Sequence, residues 1–453
     1  MKILLISPTR NPEVKKPKGI FMPQLSLHLI AGLTPEEHEV TIIEEEVEDI
    51  DYGTEWDLVG ISCMTSTAPH AYAIADEFRK RGRKVVLGGI HPTILPDEAI
   101  KHCDSIVLGE VEGVWEELLK DHQKKEMKQF YKKSNPSLTD YIPMTSLLKK
   151  RKRQFNIIPV LTTRGCPYNC EFCSVTNIYG KKIRHIPIEN VVRFIEDSRA
   201  KFFMFLDDNI IGDTRYAKEL FTAIKPLKIK WVGQASMSFA QREDLMKMAQ
   251  DSGCFALFFG LETVSETQAA KLQKSIKEIK ATEEAIKRIM DHGVHFHASL
   301  IFGFDDDTKN IFSETLDFLY RNRISTASMN VLTPYPGTQV FDRFKKQNRI
   351  LSYNWLHYNH NTPVFVPKNM TAQELYEGRL NAVKDFSKIG ASIQRLPFHL
   401  NNWFYHLAIN MACTKSVKNE IRNLPAVAQE IYSEAPESMG NRTIYPLRSA
   451  SAN

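Results

Sequence analysis

Cys166, Cys170 and Cys173 stand at C-x3-C-x2-C spacing in Arg164-Gly165-Cys166-Pro167-Tyr168-Asn169-Cys170-Glu171-Phe172-Cys173. Thiolates are the usual ligands of iron–sulfur clusters, and a cubane [4Fe-4S] cluster has four irons to ligate. Three cysteines therefore leave one iron open to a further ligand. A closed structural zinc site wants four ligands, and the nearest histidine, His185, lies well beyond Cys173. With only seven cysteines in the chain, three so close together are not scattered free thiols. An open-sided iron–sulfur cluster is the chemistry this spacing fits best.

Such a cluster needs a scaffold, and the apolar pattern predicts one. Residues 2–7, 40–43, 58–62, 84–87 and 105–108 are short runs rich in Val, Ile and Leu, as strands buried on both faces are. Helical patterns around 24–32, 68–80 and 111–120 lie between them, which predicts a doubly wound, Rossmann-like α/β domain over residues 1–135. Ligands of such sheets bind beyond the carboxyl ends of the strands. The candidates there are Ser62 and Thr65, Gly88 and Gly89, and Gly109 and Glu110. Glycine lets a bulky ligand approach the backbone, and polar side chains bond its edge. His28 sits in a helical pattern and reads as a packed residue.

Residues 136–157 read as a linker, with the basic run 149–153 solvated rather than bound to nucleic acid. Strand candidates then recur at 158–162, 202–206, 229–234, 255–259, 296–302 and 328–332. One intervening helix is plain, since Ile279, Thr282, Ile286, Ile289 and Met290 share a face and Gly293 follows as terminator. Six such units over 158–350 predict a partial (β/α)6 barrel, with its chemistry at the strand ends. The cysteine loop follows the first strand. The later ends carry Asp207 and Asp208, Gln234 and Ser236, Glu262, and Ser299 with Gly303.

The cysteine spacing, with aromatic Phe172 before the third cysteine, resembles the signature of the radical S-adenosylmethionine (SAM) superfamily. That resemblance implies a [4Fe-4S] cluster whose open iron chelates SAM, and cleavage of SAM to a 5′-deoxyadenosyl radical. Asp207-Asp208-Asn209 stands where many members carry Gly-Gly-Glu, and the resemblance puts one of the two aspartates on the SAM ammonium. Gly260-Leu261-Glu262 is similar to the motif whose carboxylate holds the SAM ribose. Ser299-Leu300-Ile301-Phe302-Gly303 is a partial match to the adenine-binding strand. Thr333-Pro334-Tyr335-Pro336-Gly337-Thr338 is similar to a segment typical of the cobalamin-linked branch. In front, Val85–Thr93 and Val107–Gly113 resemble the cobalamin-binding domain that precedes many such barrels, without the D-x-H-x-x-G histidine motif. The family so identified implies a C-methyltransferase that acts on an unactivated carbon through the radical and methylcobalamin. It also implies an external electron donor of flavodoxin or ferredoxin type.

Rival readings remain open on sequence. Relatives of the same architecture drive cyclisation, rearrangement or carbon–carbon coupling without methyl transfer. A transfer-RNA methylthiotransferase needs three more cysteines ahead of Cys166, and only Cys63 and Cys103 precede it. A cobalamin sensor would have no use for the SAM-contacting strand ends. A net charge of +5 over 453 residues calls for no nucleic-acid partner. An odd cysteine count and a short apolar start point to the cytoplasm. Beyond 350 a helical region is expected, ending in a disordered tail. Its segment 396–413 lacks Lys, Arg, Asp and Glu, which fits a docking helix or a peripheral contact with a membrane or hydrophobic substrate. The substrate is expected to be a hydrophobic metabolite, a lipid such as a hopanoid or a tetrapyrrole.

Overall fold

Two parallel sheets organise the computed structural model, which describes residues 1–10, 12, 20–139, 141, 143–148, 155–272, 278–396 and 410. The front sheet contains β1 (Lys2–Ser7), β2 (Glu39–Glu44), β3 (Leu58–Ser62), β4 (Lys84–Gly88), β5 (Ser105–Leu108) and β6 (Phe130–Lys132), in the spatial order β2-β1-β3-β4-β5-β6. Successive side chains of a strand face opposite ways, so β1 needs cover on both sides. Ile3 and Leu5 pack with Leu27 of α1 (Leu25–Gly32). Leu4 and Ile6 pack with Ala71 and Phe78 of α2 (Ala68–Lys80). Trp115 and Leu118 of α3 (Trp115–Lys124) join the first of these cores. The winding direction reverses at β1, which makes the gap between the ends of β1 and β3 the switch point of the sheet.

The second sheet runs β7 (Ile158–Val160), β8 (Phe202–Phe205), β9 (Lys230–Ala235), β10 (Cys254–Glu262), β11 (His295–Phe302) and β12 (Thr326–Val331), each beside its predecessor. This is the six-stranded α/β layout that the sequence predicts. Phe203, Phe205 and Trp231 meet Leu220 and Phe221 from the helix Thr214–Ile224 in one continuous core. Along β11, Phe296, Ala298, Leu300 and Phe302 are buried, and the half-buried His297, Ser299 and Ile301 alternate with them on the opposite face. The amphipathic helix expected around Ile286 spans Ile279–Asp291, with Ala285, Ile286 and Ile289 buried.

Three elements differ from the sequence pattern. β6 was not visible because only Tyr131 of its three residues is buried. The helix expected from 111 starts at Trp115, since Gly113 at φ 76° first turns the chain. Beyond the barrel, helix begins only at Ala372–Phe386 and Ile389–Gln394. The stretch before it is irregular because side chains occupy its backbone donors: Asn354 accepts from Leu356 N–H at 3.2 Å, and Asn359 from Asn361 and Thr362 N–H at 3.0 and 3.2 Å.

The segment between the sheets is more than a tether. Leu138 and Tyr141 enter the barrel core, Met144 N–H donates to His28 O at 2.9 Å, and Phe155–Asn156 pairs in parallel with Ile20–Phe21. The basic run 149–153, nearly all of the apolar segment 396–413 and the chain terminus lie outside the described residues. Among the described residues no helix is long and apolar enough to cross a membrane.

Gly89 marks where the front sheet is least tolerant. It holds φ 98°, and an added Cβ would lie 2.5 Å from Cys63 O. Gly89→Ala should therefore destabilise the chain by about 1–3 kcal/mol, seen as a lower denaturant midpoint in chemical unfolding.

Candidate functional site

The carboxyl ends of the front sheet and of the first two barrel strands open onto one cavity of about 1420 Å³, whose lining does not include the three cysteines or the later strand-end candidates Gln234, Ser236, Glu262, Ser299 and Gly303. Ser62, Gly88, Gly89, Gly109 and Glu110 line it from the front sheet, and Leu161, Thr163, Leu206 and Asp208 from the barrel. The irregular stretch beyond the barrel adds Asn354, His357 and Asn361. Thr65 lies behind this wall, 3% exposed. Gly109 turns at φ 82° with nothing within 4 Å of an added Cβ, and its N–H donates to Thr93 Oγ1 at 2.9 Å. The wall at Gly109 is thus bare backbone facing open space. Gly89, by contrast, is glycine because Cys63 presses against it. His28 is buried in α1 with Nδ1 3.2 Å from Met144 O, away from the cavity.

The cysteine loop leaves β7 through Thr162 and Thr163, and both are fastened to one carboxylate. Asp207, fully buried, accepts from Thr162 Oγ1 at 2.6 Å, Thr163 Oγ1 at 2.5 Å and Thr162 N–H at 3.2 Å. Asp207 is therefore a post for the loop, and its neighbour Asp208 is the aspartate that reaches the cavity. Burial pushes the Asp208 carboxyl up to about 6, with Asp207 adding repulsion. Farther along the loop, Cys173 N–H donates to Cys170 O at 3.1 Å, and Glu171 O accepts from Val340 N–H at 3.1 Å. Arg343 Nη2 donates to Glu171 Oε1 at 3.0 Å. Phe172 meets Phe304 edge to face at 6.2 Å. Val340 follows the Thr333–Thr338 segment, so that motif braces the cysteine loop from outside.

Cys166, Cys170 and Cys173 are thiols with intermediate exposure. Burial pushes the Cys173 thiol up to about 11; the Val175 N–H opposes this, and Cys170, Asp208 and Cys166 add repulsion. Three thiolates crowded beside an aspartate need a compensating polycation, and a coordinating metal deprotonates a thiol outright. Among the described residues no three ligating side chains converge on a single ion. A cubane does not require that, because each thiolate binds a different iron. The donor set fits an iron–sulfur cluster.

The remaining strand-end candidates divide by what they touch. Gln234 is exposed, and its carbonyl receives Ile210 N–H at 2.9 Å. Ser236 is engaged by Asn209, which accepts its N–H at 3.1 Å, and by Ser238 Oγ at 2.7 Å. Glu262 ends β10 at φ 66°, just past a register shift against β11. A non-glycine residue held left-handed at a strand end is stored strain of the kind found at ligand sites. Ser299 stands between Gly260 and Ser328 in register. Gly303 turns at φ 99° and donates its N–H to Asp307 Oδ2 at 2.8 Å, as does Phe304 at 3.0 Å. Asp307 went unnoticed in the sequence because it is the last of three consecutive aspartates. Burial pushes its carboxyl up to about 7.

Glu110, read from the sequence as a ligand contact, lines the cavity and is also engaged in an ion pair that the sequence does not reveal. Its carboxylate, 5% exposed, is held by Arg164 and Arg184 from the barrel. Neither arginine carries a sequence signal for this, since the pairing joins two domains far apart in the chain.

Models of known families match both parts: the B12 binding domain over residues 19–119 and the radical SAM superfamily over residues 160–319. The bacteriochlorophyllide d C-12(1)-methyltransferase of Chlorobaculum tepidum is 32% identical over 418 residues, spanning 89% of this chain and 91% of that one. The chain belongs to the cobalamin-binding radical SAM methyltransferase family. A second Chlorobaculum tepidum member of this family, bacteriochlorophyllide d C-8(2)-methyltransferase, is 31% identical over 357 residues, covering 74% of this chain and 79% of its own. The cobalamin-dependent SAM radical enzyme OxsB, solved with aqua-cobalamin bound, shares the fold at TM-score 0.65 and 15% identity, over 95% of this chain and 74% of that one. A radical SAM methyltransferase with a B12 domain uses a [4Fe-4S] cluster, SAM and cobalamin, the three cofactors expected from the motifs.

Removing the Asp207 carboxylate strands three buried donors, each worth about 1–3 kcal/mol when unmet. Asp207→Ala should lower both the thermal midpoint and the iron bound per chain after anaerobic reconstitution. Full iron content at an unchanged midpoint would contradict its role as the post of the cysteine loop.

Proposed function

We propose that this enzyme transfers a methyl group to an unactivated carbon on the periphery of a tetrapyrrole. One observation carries the methyl transfer: the strand ends of a B12-type sheet share one cavity with the ends of the first two strands of a radical SAM barrel, the strands that flank the cysteine loop and carry Asp208. Two cofactors can then address the same carbon. The tetrapyrrole is supported by the relatives named as bacteriochlorophyllide d methyltransferases, which match over 89% and 74% of this chain. Bound cobalamin would supply the methyl group, and SAM at the reduced cluster the radical that takes a hydrogen from the substrate. An external flavodoxin- or ferredoxin-type protein would provide the electron.

The chain's own residues supply binding and position. Cys166, Cys170 and Cys173 hold the cluster and leave one iron open. Asp208, on the cavity wall, is the aspartate placed to meet the SAM ammonium. Glu262 accepts from the ribose hydroxyls, and Ser299 with Gly303 borders the adenine. Phe172, packed edge to face on Phe304, would help to shield a cluster held by the neighbouring cysteines. Ser62, Gly88, Gly89 and Gly109 present backbone and a hydroxyl to the corrin. Asn354, His357 and Asn361 add polar side chains to the cavity wall, where they would bond the polar edge of a bound cofactor or substrate.

Hydroxocobalamin added anaerobically to the cluster-reconstituted enzyme should survive desalting at about one per chain. Incubation with SAM, a reductant and a chlorophyllide-type substrate should yield S-adenosylhomocysteine, 5′-deoxyadenosine and methylated pigment. 5′-Deoxyadenosine without S-adenosylhomocysteine would replace methyl transfer with a cyclisation or coupling. Methylation of a hopanoid but no tetrapyrrole would replace the substrate class. Cys166→Ala should abolish cluster formation and SAM cleavage together. Glu262→Ala should weaken SAM binding at least tenfold with the iron content unchanged.

A further inference from the structure

Four charged side chains meet where the front sheet touches the neck of the cysteine loop. Thr163–Arg164 pairs antiparallel with Arg184–His185, placing Arg164 opposite Arg184. That short ladder gathers the two ends of the segment bearing all three cysteines. Glu110, on the turn that follows β5, binds Arg164 Nη1 with one oxygen and Arg184 Nη2 with the other. Glu112 Oε1 lies 2.7 Å from Arg164 Nη1. The side chains are 5% exposed for both glutamates, 11% for Arg164 and 13% for Arg184. Arg184 also donates to Pro136 O at 3.0 Å. The Arg164 guanidinium lies 5.5 and 5.7 Å from the ring centroids of Tyr141 and Tyr179.

Two positive and two negative groups, nearly shut off from water, hold each other's charge. Buried ion pairs of this kind add little net stability, but loss of one partner is costly because it strands a buried charge. Their plain effect is to fix geometry. Glu110 also lines the shared cavity, directly after the bare backbone of Gly109. One residue thus borders the proposed corrin site and grips both strands of the loop neck. A second tie runs in parallel: the Asn177 amide donates to Gly337 O, and a Cβ added at Gly337 would come within 2.9 Å of Ile94 Cγ2 in the front domain.

We infer that Glu110, Glu112, Arg164 and Arg184 are positioning residues that lock the cysteine loop to the corrin wall, so that corrin binding and cluster assembly are thermodynamically linked. This rests on the reading of the cavity as the cobalamin site. A corrin that orders the Gly109–Glu112 turn presents both carboxylates to the arginines and holds the loop neck closed. A cluster that orders the loop presents the arginines to the turn. Linkage makes the two effects equal in size, whichever group binds first.

The test is an anaerobic titration of the full chain with hydroxocobalamin, followed by absorbance, with and without the reconstituted cluster. The wild type should bind the corrin about tenfold tighter when the cluster is present, within the usual range of such linkage. Glu110→Gln and Arg184→Gln should bring that ratio close to one, and Arg184→Lys, which keeps the charge, should restore part of it. A role confined to stability would leave the ratio unchanged in variants that fold. Hydrogen exchange in the wild type provides a measurement independent of any variant. Hydroxocobalamin added to cluster-free protein should slow exchange across residues 163–185. A wild type that binds corrin equally well with or without the cluster, or shows no slowing there, overturns the inference alone. A wild type that binds no corrin overturns the reading of the cavity and the inference with it.

Discussion

Parallel strands place all their carboxyl ends along one edge, so each such sheet has a single edge suited to binding. A chain that needs two cofactors at one substrate carbon must make two of these edges face each other. That requirement governs much of the architecture here. It explains why residues between the sheets are packed, with Tyr141 in the barrel core and Met144 bonded to α1. It also explains why the stretch after the barrel returns to the front domain. Trp355 Nε1 donates to Glu98 at 2.9 Å, and His91 Nε2 lies 3.2 Å from the same carboxylate. Each of these contacts fixes the angle between the sheets as well as joining them.

The neighbouring aspartates show how the same chemistry is divided between support and function. Consecutive residues at a strand end point to opposite sides. Asp207 turns inward and spends its oxygens on Thr162 and Thr163, while Asp208 turns to the cavity. Asp307 repeats the supporting role on the far side, holding the backbone of Gly303 and Phe304, and Phe304 meets Phe172. The cluster loop has little regular structure of its own. Its shape comes from carboxylates and aromatic rings on elements that do not belong to it.

Much of this was legible in the sequence because its signals are local. Strands β1, β3 and β5 appear at their residues because a run such as 2–7 is apolar on both faces. The cysteine spacing, the Gly260–Glu262 turn and the strand-end glycines are likewise short-range patterns. What stayed hidden depends on distance in the chain. Nothing in the acidic stretch around Glu110 distinguishes a ligand contact from an ion pair with Arg184, because the partner is supplied by another domain. β6 was missed because an edge strand with one buried residue has no pattern to read. Around Asn354 helix is expected and irregular chain is found, because side chains bonding backbone donors leave no periodic trace. Between Asp207 and Asp208 the sequence offers no choice; the structure separates them by bonding Asp207 to Thr162 and Thr163 and leaving Asp208 on the cavity wall.

The cavity wall has an arrangement in time as well as in space. Its lining runs from Leu5, near the start of the chain, to Thr362, beyond the barrel. During synthesis the front domain leaves the ribosome first, with every strand of its sheet available to fold. Its cavity nevertheless stays unroofed until the barrel and the Asn354–Thr362 stretch have emerged. The wall is therefore complete only after the cysteine loop has been made, because its last contributors come from beyond the barrel.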